Sequence, residues 1–369
     1  MENPSRKKVL WLTNIPSPYR VDFFNELGKR CALTVLFEKR ASTERDDSWK
    51  QFHVQHFRAI FLKGKSTGVA EAVCPEVVTY IKRERYDFCF VTNFSDFTGI
   101  IAIAALKWHK IPYFVESDGG FAGTGRGIKE RIKRHVLSGA QLYFSTAREH
   151  DEYYLKYGAK REQLVRYPFT SIWEKDILES PVSGGQKAAL RARLGMKEEK
   201  IFLAVGQFIP RKGYDVLIKA MAHFGDKVGC FIVGGEITPE YQKLIEEHGL
   251  NNIHIVGFKS KRELSEYYMA ADAFVHPCRE DIWGLVVNEA MAKGLPVVTT
   301  DRCVAGLTLI TEPQLGRIVP VNDPQALAAA MEEVLEMDGE HCSQRILEFI
   351  HSYSMENMVE KHIEVLERA

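Results

Sequence analysis

Residues Arg279–Thr300 read REDIWGLVVNEAMAKGLPVVTT. The apolar run Ala273–His276 before them predicts a strand, and HPCREDIW a loop at its carboxyl end. Leu285–Lys293 then reads as a helix closed by Gly294, and Pro296–Thr299 as the next strand. Strand, loop, helix and strand in this order form one unit of a parallel sheet covered by helices. Ligands of such sheets lie outside the carboxyl ends of the strands, which is where this loop and helix start fall.

Gly284 removes a side chain where the first free helix N–H groups point outward, and those groups attract an anion such as phosphate. Asp281 and Glu289 flank that point. Carboxylates repel phosphate, so their natural partners are hydroxyl donors such as those of a sugar. The arrangement suggests a nucleotide-sugar: ribose on one acid, diphosphate on the helix start, hexose on the other. The plainer alternative makes Glu289 a surface helix residue and Asp281 a charge favoured by the helix dipole. Against it, Glu289 is set among Val286, Val287, Ala290 and Met291, where an unpartnered acid would be costly. Glu280, Ile282, Trp283 and Leu285 line the same loop and helix start, and Phe258 follows the strand HIV (254–256).

A second segment, LAVGQFIPRKGYDVLIKAM, ends a strand at Val205–Gly206 and opens a helix after Gly213. Arg211 and Lys212 lie between them, with Gln207 directly after the glycine. Two cations at a strand end suit a diphosphate; the alternative is a solvated pair on a loop.

The same alternation runs through the chain. Front-half strands are expected at Val9–Asn14, Leu33–Phe37, Phe88–Thr92, Pro112–Glu116 and Gln141–Ser145. Helices are expected at about 19–30, 70–84, 97–109, 127–138 and 147–157. SPVSGGQK (180–187) reads as a linker. Strands at Ile201–Val205, Cys230–Val233 and His254–Val256 and helices at about 214–223, 239–248 and 262–270 precede the opening segment. The expectation is an α/β protein of two Rossmann-like, doubly wound domains, 1–178 and 179–351. Met355, Met358, Val359, Ile363 and Leu366 make residues 352–369 an amphipathic terminal helix that docks back on the first domain.

The chain has 369 residues, with 49 basic and 49 acidic side chains. A neutral total argues against a dedicated nucleic-acid binder. The balance is uneven, because residues 1–180 hold 29 basic and 22 acidic residues. The basic front half allows an anionic partner or membrane surface. Seven scattered cysteines without a CxxC pair favour reduced thiols in a cytoplasmic protein. The apolar runs at the N-terminus and in FTGIIAIAALKW are too short for a signal core or a membrane span.

GQFIPRKGYDVLIKA, FIVGGE, HIVGF followed by LSEYYMAADAFVHPC, and EDIWGLVVNEAMAKGLPVV together resemble glycosyltransferase family 4, the retaining GT-B enzymes. The resemblance covers the back half and extends more loosely to NIPSPYRVDFF and FVESDGGF, in keeping with bacterial capsule or exopolysaccharide enzymes. It implies a GT-B fold and transfer of a sugar, with retention, from a nucleotide diphosphate donor such as a UDP-sugar. It implies no required metal and no cofactor. The family's pair of acids seven residues apart falls on Asp281 and Glu289, the first being the shorter Asp. Gln207 stands where relatives usually have Arg, so phosphate binding rests on Arg211 and Lys212. The candidate catalytic residues are Arg211, Lys212, Asp118 and Asp281. The candidate donor-binding residues are Gly206, Gln207, Arg211, Lys212, Phe258, Glu280, Asp281, Ile282, Trp283, Gly284, Leu285 and Glu289.

In the front half, Ser117–Gly120 follows a strand at its carboxyl end. Asp118 there could orient an acceptor hydroxyl or touch the donor sugar, or simply cap a turn. Ser17, Tyr19 and Arg20 follow the first strand, Arg20 facing either the interdomain crevice or an acid. With Gly119 and Gly120 they are the acceptor-side candidates. Ser145 and Thr146, ending another strand, are weaker ones. GGFAGTGRGIK fits neither phosphate-loop pattern and reads as a loop on the acceptor side. Helix 126–138 carries Ile128, Ile132, Val136 and Leu137 on one side and Lys129, Arg131, Lys133, Arg134 and His135 over much of the rest. That pattern is compatible with peripheral contact to anionic lipid, or with a solvated basic face. The expected partners are a nucleotide-sugar and a glycan or lipid-linked acceptor, without nucleic acid or metal. A nucleotide-sugar epimerase on the same fold and a non-catalytic nucleotide-sugar-binding protein are the alternatives.

Overall fold

The computed structural model describes residues 6–41, 52–82, 85–123, 125 and 127–368. It divides into two compact units, one extending to Thr170 and resuming at Met355, the other spanning Ser171–Ser354.

The first unit is built on β1 (Lys8–Thr13), α1 (Pro18–Arg30), β2 (Ala32–Phe37), β3 (Arg58–Phe61), β4 (Phe88–Val91), α2 (Phe97–Trp108), β5 (Phe114–Glu116), α3 (Ile128–Leu137), β6 (Leu142–Ser145), α4 (Arg148–Lys156) and β7 (Leu164–Arg166). The seven strands form one sheet in the order β3-β2-β1-β4-β5-β6-β7. Every pairing in it is parallel. Its central strands are apolar throughout because helices cover both faces, as Val9, Trp11, Phe90 and Val115 show by their near-complete burial. The terminal helix, Met355–Arg368, belongs to this unit and packs against α1. It buries all five expected apolar residues and also His362.

The second unit contains α5 (Gly184–Leu194), β8 (Lys200–Val205), α6 (Tyr214–Met221), β9 (Val228–Val233), α7 (Pro239–Glu247), β10 (Ile253–Val256), α8 (Lys261–Ala270), β11 (Ala273–His276), α9 (Leu285–Met291), β12 (Val297–Thr300), α10 (Val304–Leu309), β13 (Gly316–Val319), α11 (Pro324–Glu336) and α12 (Gly339–Ile350). Its six strands run β10-β9-β8-β11-β12-β13, again all parallel.

Three expectations need correction. The helix expected over 70–84 is absent from its described part, and residues 83 and 84 lie outside the described residues. Ala72–Val73 pairs antiparallel with Lys65–Ser66, and Pro75–Thr79 is a single 3-10 turn. Pro75 keeps Cys74 out of the helical region, and the β-branched run Val77–Thr79 adds no helical preference. The linker 180–187 ends early, because Ser183 and Gln186 form a reciprocal cap that starts α5 at Gly184. The division between units falls at Thr170 and not at 178. Residues 171–178 are tied to the second unit by Lys261 Nζ to Asp176 Oδ2 at 2.6 Å and by Leu178 N–H to the Ala292 carbonyl at 3.0 Å.

Candidate active site

In the second sheet the chain order reverses between β8 and β11, the switch point at which open α/β sheets bind ligands. β8 runs out into Gly206 and the turn Pro210–Lys212; β11 runs out at His276 into the loop carrying Asp281. Gly213 has φ of 69°, and a Cβ there would lie 2.1 Å from the Pro277 carbonyl oxygen. Only glycine lets the two loops press together this closely.

The result is a convergence on one oxygen. Asp281 Oδ2 lies 2.8 Å from Lys212 Nζ, 3.4 Å from Arg211 Nη1 and 3.1 Å from His276 Nε2. Asp281 is 8% exposed and His276 fully buried. Burial pushes the Asp281 carboxyl up, but the His276 hydrogen bond and the Lys212 charge outweigh it and hold the group well below the usual carboxylate range. Burial, and then the Lys212 charge, lower the His276 pKa. The imidazole is therefore neutral, with its proton on Nε2, the nitrogen that faces the carboxylate. Lys212 and Arg211 together exceed the one negative charge they meet. The Arg211 side chain is 47% exposed, and its guanidinium also donates to the Glu280 carbonyl at 3.2 Å.

The other donor-side candidates fall around this centre in different roles. Gly284 has φ of 105° and starts the seven-residue α9 without a side-chain cap. A Cβ there would sit 3.0 Å from Cys303 Sγ. The Trp283 ring is in the core, its indole N–H donating to Asn288 at 2.8 Å, and its carbonyl accepts from the Ala305 N–H at 2.9 Å. Leu285 is half-buried, while Gln207, Phe258 and Ile282 are exposed. Glu280 pairs with Arg302. Glu289 accepts from Tyr268 Oη at 3.1 Å and Ser171 Oγ at 3.4 Å. Burial pushes its carboxyl above the usual range, and the two hydrogen bonds offset this only in part. The two acids of the opening segment therefore sit in opposite environments, one held ionised and the other pushed toward neutrality.

Near the base of the loop, His276, Cys278 and Cys303 are buried with ligand atoms within 4.8 Å of one another. Each has a protein partner: Asp281 for His276, the Trp283 carbonyl for Cys303 at 3.3 Å, and Thr300 Oγ1 for Cys278 at 3.7 Å. They serve as a core contact beneath the turn.

In the first unit, β5 ends at Glu116 and Asp118 follows. Arg20 does not reach outward: it is 3% exposed and pairs with Glu116 through Nη1 at 2.5 Å and with Asp118 through Nη2. The Tyr19 hydroxyl donates to the other Asp118 oxygen. Ser17 is buried at the N-cap of α1. Gly119 and Gly120 have φ of 147° and 158°. Ser117 Oγ is 2.9 Å from His150 Nε2, which resembles a nucleophile and its base. The roles are reversed, however. His150 Nδ1 accepts from the Thr146 N–H at 3.3 Å, so Nε2 carries the proton and donates. Burial lowers the His150 pKa to about 3, which keeps the ring neutral. Ser145 is buried and bonded to the Ala147 carbonyl.

On α3, Val136 and Leu137 enter the core, whereas Ile128 is 76% and Ile132 53% exposed. Lys107 Nζ ties the carbonyls of His135 and Val136, so only the C-terminal end of the expected apolar face is docked. Thr124 and Arg126 lie outside the described residues.

In the sequence His276 marks only the end of the run Ala273–His276, and no motif singles out Tyr268, Ser171, Glu116 or His362. Glu116 and His276 each end an apolar strand run, and His362 interrupts the apolar face of the terminal helix. Those polar residues in apolar positions were the available signal.

The architecture is that of a GT-B protein, with a cation-rich switch point in its second unit. Its backbone matches that of the Anabaena protein HepE solved with UDP at a TM-score of 0.79, with 18% identity over 98% of this chain and 100% of that one. The family model described as glycosyl transferases group 1 matches residues 186–347. The D-inositol 3-phosphate glycosyltransferase of Xylanimonas cellulosilytica is 30% identical over 322 residues, 85% of this chain and 70% of that enzyme. The lipopolysaccharide glucosyltransferase WaaG of Escherichia coli K12 is 34% identical over 119 residues, 31% of each chain. The chain belongs to the group 1 glycosyltransferases.

Proposed function

We propose that this glycosyltransferase moves a hexosyl unit, with retention and without a metal, from a nucleotide diphosphate sugar to a glycan or lipid-linked acceptor in surface polysaccharide or glycolipid synthesis. The observation that carries the proposal is the convergence of Lys212 and Arg211 on the single buried carboxylate of Asp281 at the switch point. A leaving diphosphate needs positive charge, and here protein cations supply it where other enzymes use a metal ion. The helix Leu285–Met291 starts without a side-chain cap, and its first main-chain N–H groups would add donors to the diphosphate. Glu289 accepts from ribose hydroxyls, Asp281 faces the transferred sugar, and Asp118 orients the acceptor hydroxyl. Same-face attack would pass the acceptor proton to the departing phosphate, which needs no enzymatic nucleophile.

The test is a panel of nucleotide-sugars, UDP-glucose first because HepE was also solved with it, scored for released nucleotide with and without acceptors and with EDTA. Acceptor-stimulated release that survives EDTA is expected. Donor binding without turnover, or loss of activity in EDTA, refutes the corresponding part.

The exposed Ile128 and Ile132 beside the cations of α3 support peripheral contact with an anionic membrane from the cytoplasmic side. No described helix is long and apolar enough to cross a membrane. Sedimentation with phosphatidylglycerol vesicles, weakened by Ile132→Asp and by salt, is expected; equal recovery with neutral vesicles refutes the contact.

A further inference from the structure

The terminal helix docks with five apolar side chains and one histidine, and the histidine is the costly choice. His362 is fully buried and lies 2.9 Å from Glu116 Oε2, itself fully buried. Phe23, Phe144 and Tyr167 pack around its ring at centroid distances of 4.8, 4.8 and 4.9 Å, so the ring cannot swing. Its Nδ1 lies 2.7 Å from the Met358 carbonyl, which can only accept, so Nδ1 carries a proton. Nε2 meets a carboxylate, and a proton lies on that contact too.

Docking alone does not require this. A buried ion pair is often matched in stability by an apolar contact of similar size. The gain is in direction. With Oε2 held by His362, Glu116 turns Oε1 to Arg20 at 2.5 Å and to the Tyr167 hydroxyl at 3.2 Å. The planar guanidinium, fixed by one nitrogen, places the other on Asp118. Exposure rises along the chain of contacts: side chains of His362 and Glu116 at 0%, Arg20 at 4% and Asp118 at 29%. Asp118 is the end at which the network meets solvent.

We infer that His362 is a positioning residue that acts through Glu116 and Arg20 to fix the direction in which the Asp118 carboxylate faces an acceptor hydroxyl. This rests on the proposed acceptor-side role of Asp118. The last helix of the chain is then part of the acceptor-side machinery as well as of the core.

The test is a double-mutant cycle on the full chain with a donor and acceptor found by the panel above. His362→Gln is expected to lower kcat for transfer about tenfold, within the range for outer-shell partners. The donor KM and donor hydrolysis without acceptor should stay unchanged. In the Asp118→Asn background the same change should add less than about twofold, because its route to the acceptor is already cut. Full additivity, or an equal loss in donor hydrolysis, marks a merely structural effect and overturns the inference. Wild-type turnover by Asp118→Asn overturns it together with the Asp118 role, whereas impaired Asp118→Asn with unimpaired His362→Gln overturns the positioning alone. If His362→Gln does not fold, Arg20→Lys takes its place: it keeps the charge, loses the fork, and must show the same non-additivity.

Discussion

Each unit ends a central strand of its sheet in a cluster of carboxylates and cations, and the two clusters are balanced differently. At the tip of β5, one arginine is shared by two carboxylates, and His362 closes the back of the set. At the tips of β8 and β11, one carboxylate is shared by two cations. Glu116 and Asp118 are held from inside the protein by Arg20 and His362, so that cluster is a frame whose exposed end presents a carboxylate. Charge around Asp281 is left positive, so that cluster is ready for an anion. The contrast supports the proposed placement of a hydroxyl-bearing ligand on the first unit and a diphosphate on the second, from the same kinds of side chain.

The sharpest way to break the contrast is to remove the surplus. Lys212→Ala should lower turnover by about 10²–10³, the usual scale for losing one group that stabilises a leaving charge. A rate near wild type would take Lys212 out of the mechanism. A smaller effect is expected at the ribose end of the same unit. Glu289→Ala should weaken binding of free nucleoside diphosphate by about tenfold, the scale of one buried hydrogen bond, seen as a reduced thermal shift. Unchanged affinity in a folded variant would refute the ribose contact.

The smallest effect concerns what the clusters share. Asp281 and Glu116 are both held below their ordinary range; in each, burial pushes up and is outweighed by hydrogen bonds and neighbouring cations. A depressed folded pKa gives stability that is full above the unfolded value, about 4 for Asp and Glu, and is lost as pH falls below it. The thermal midpoint should therefore drop between pH 5 and pH 3, and Glu116→Gln should flatten that drop by a few degrees. An unchanged slope would mean that Glu116 contributes nothing to acid sensitivity.

Much of the second unit was legible from one segment. The strand, loop, helix and glycine of Ala273–Gly294 occur in the order read, the helix ending at Met291 and not at Lys293, because a buried parallel strand and an apolar helix leave a strong periodic trace. The two edge strands of the first sheet left less trace: Leu164–Arg166 is three residues long and only partly buried, and the apolar run Ala59–Leu62 is too short for its periodicity to mark Arg58–Phe61 as a strand. The site was legible in its residue types more than in its contacts. Arg211, Lys212 and Asp281 stood out as charges at strand ends. That the three meet on one oxygen depends on Gly213 closing against Pro277, which no local pattern encodes. Likewise, the partners of Glu116 come from α1 and from a helix at the far end of the chain, and pairing over such separations is a property of the packed sheet.

The most direct measurement of the central claim is calorimetric titration of the wild-type chain with uridine, UMP and UDP at two ionic strengths. The account predicts that affinity rises steeply from nucleoside to diphosphate and that the added affinity shrinks as salt is raised. UDP binding no tighter than uridine, or tighter by an amount indifferent to salt, would contradict a diphosphate seat built from Lys212 and Arg211.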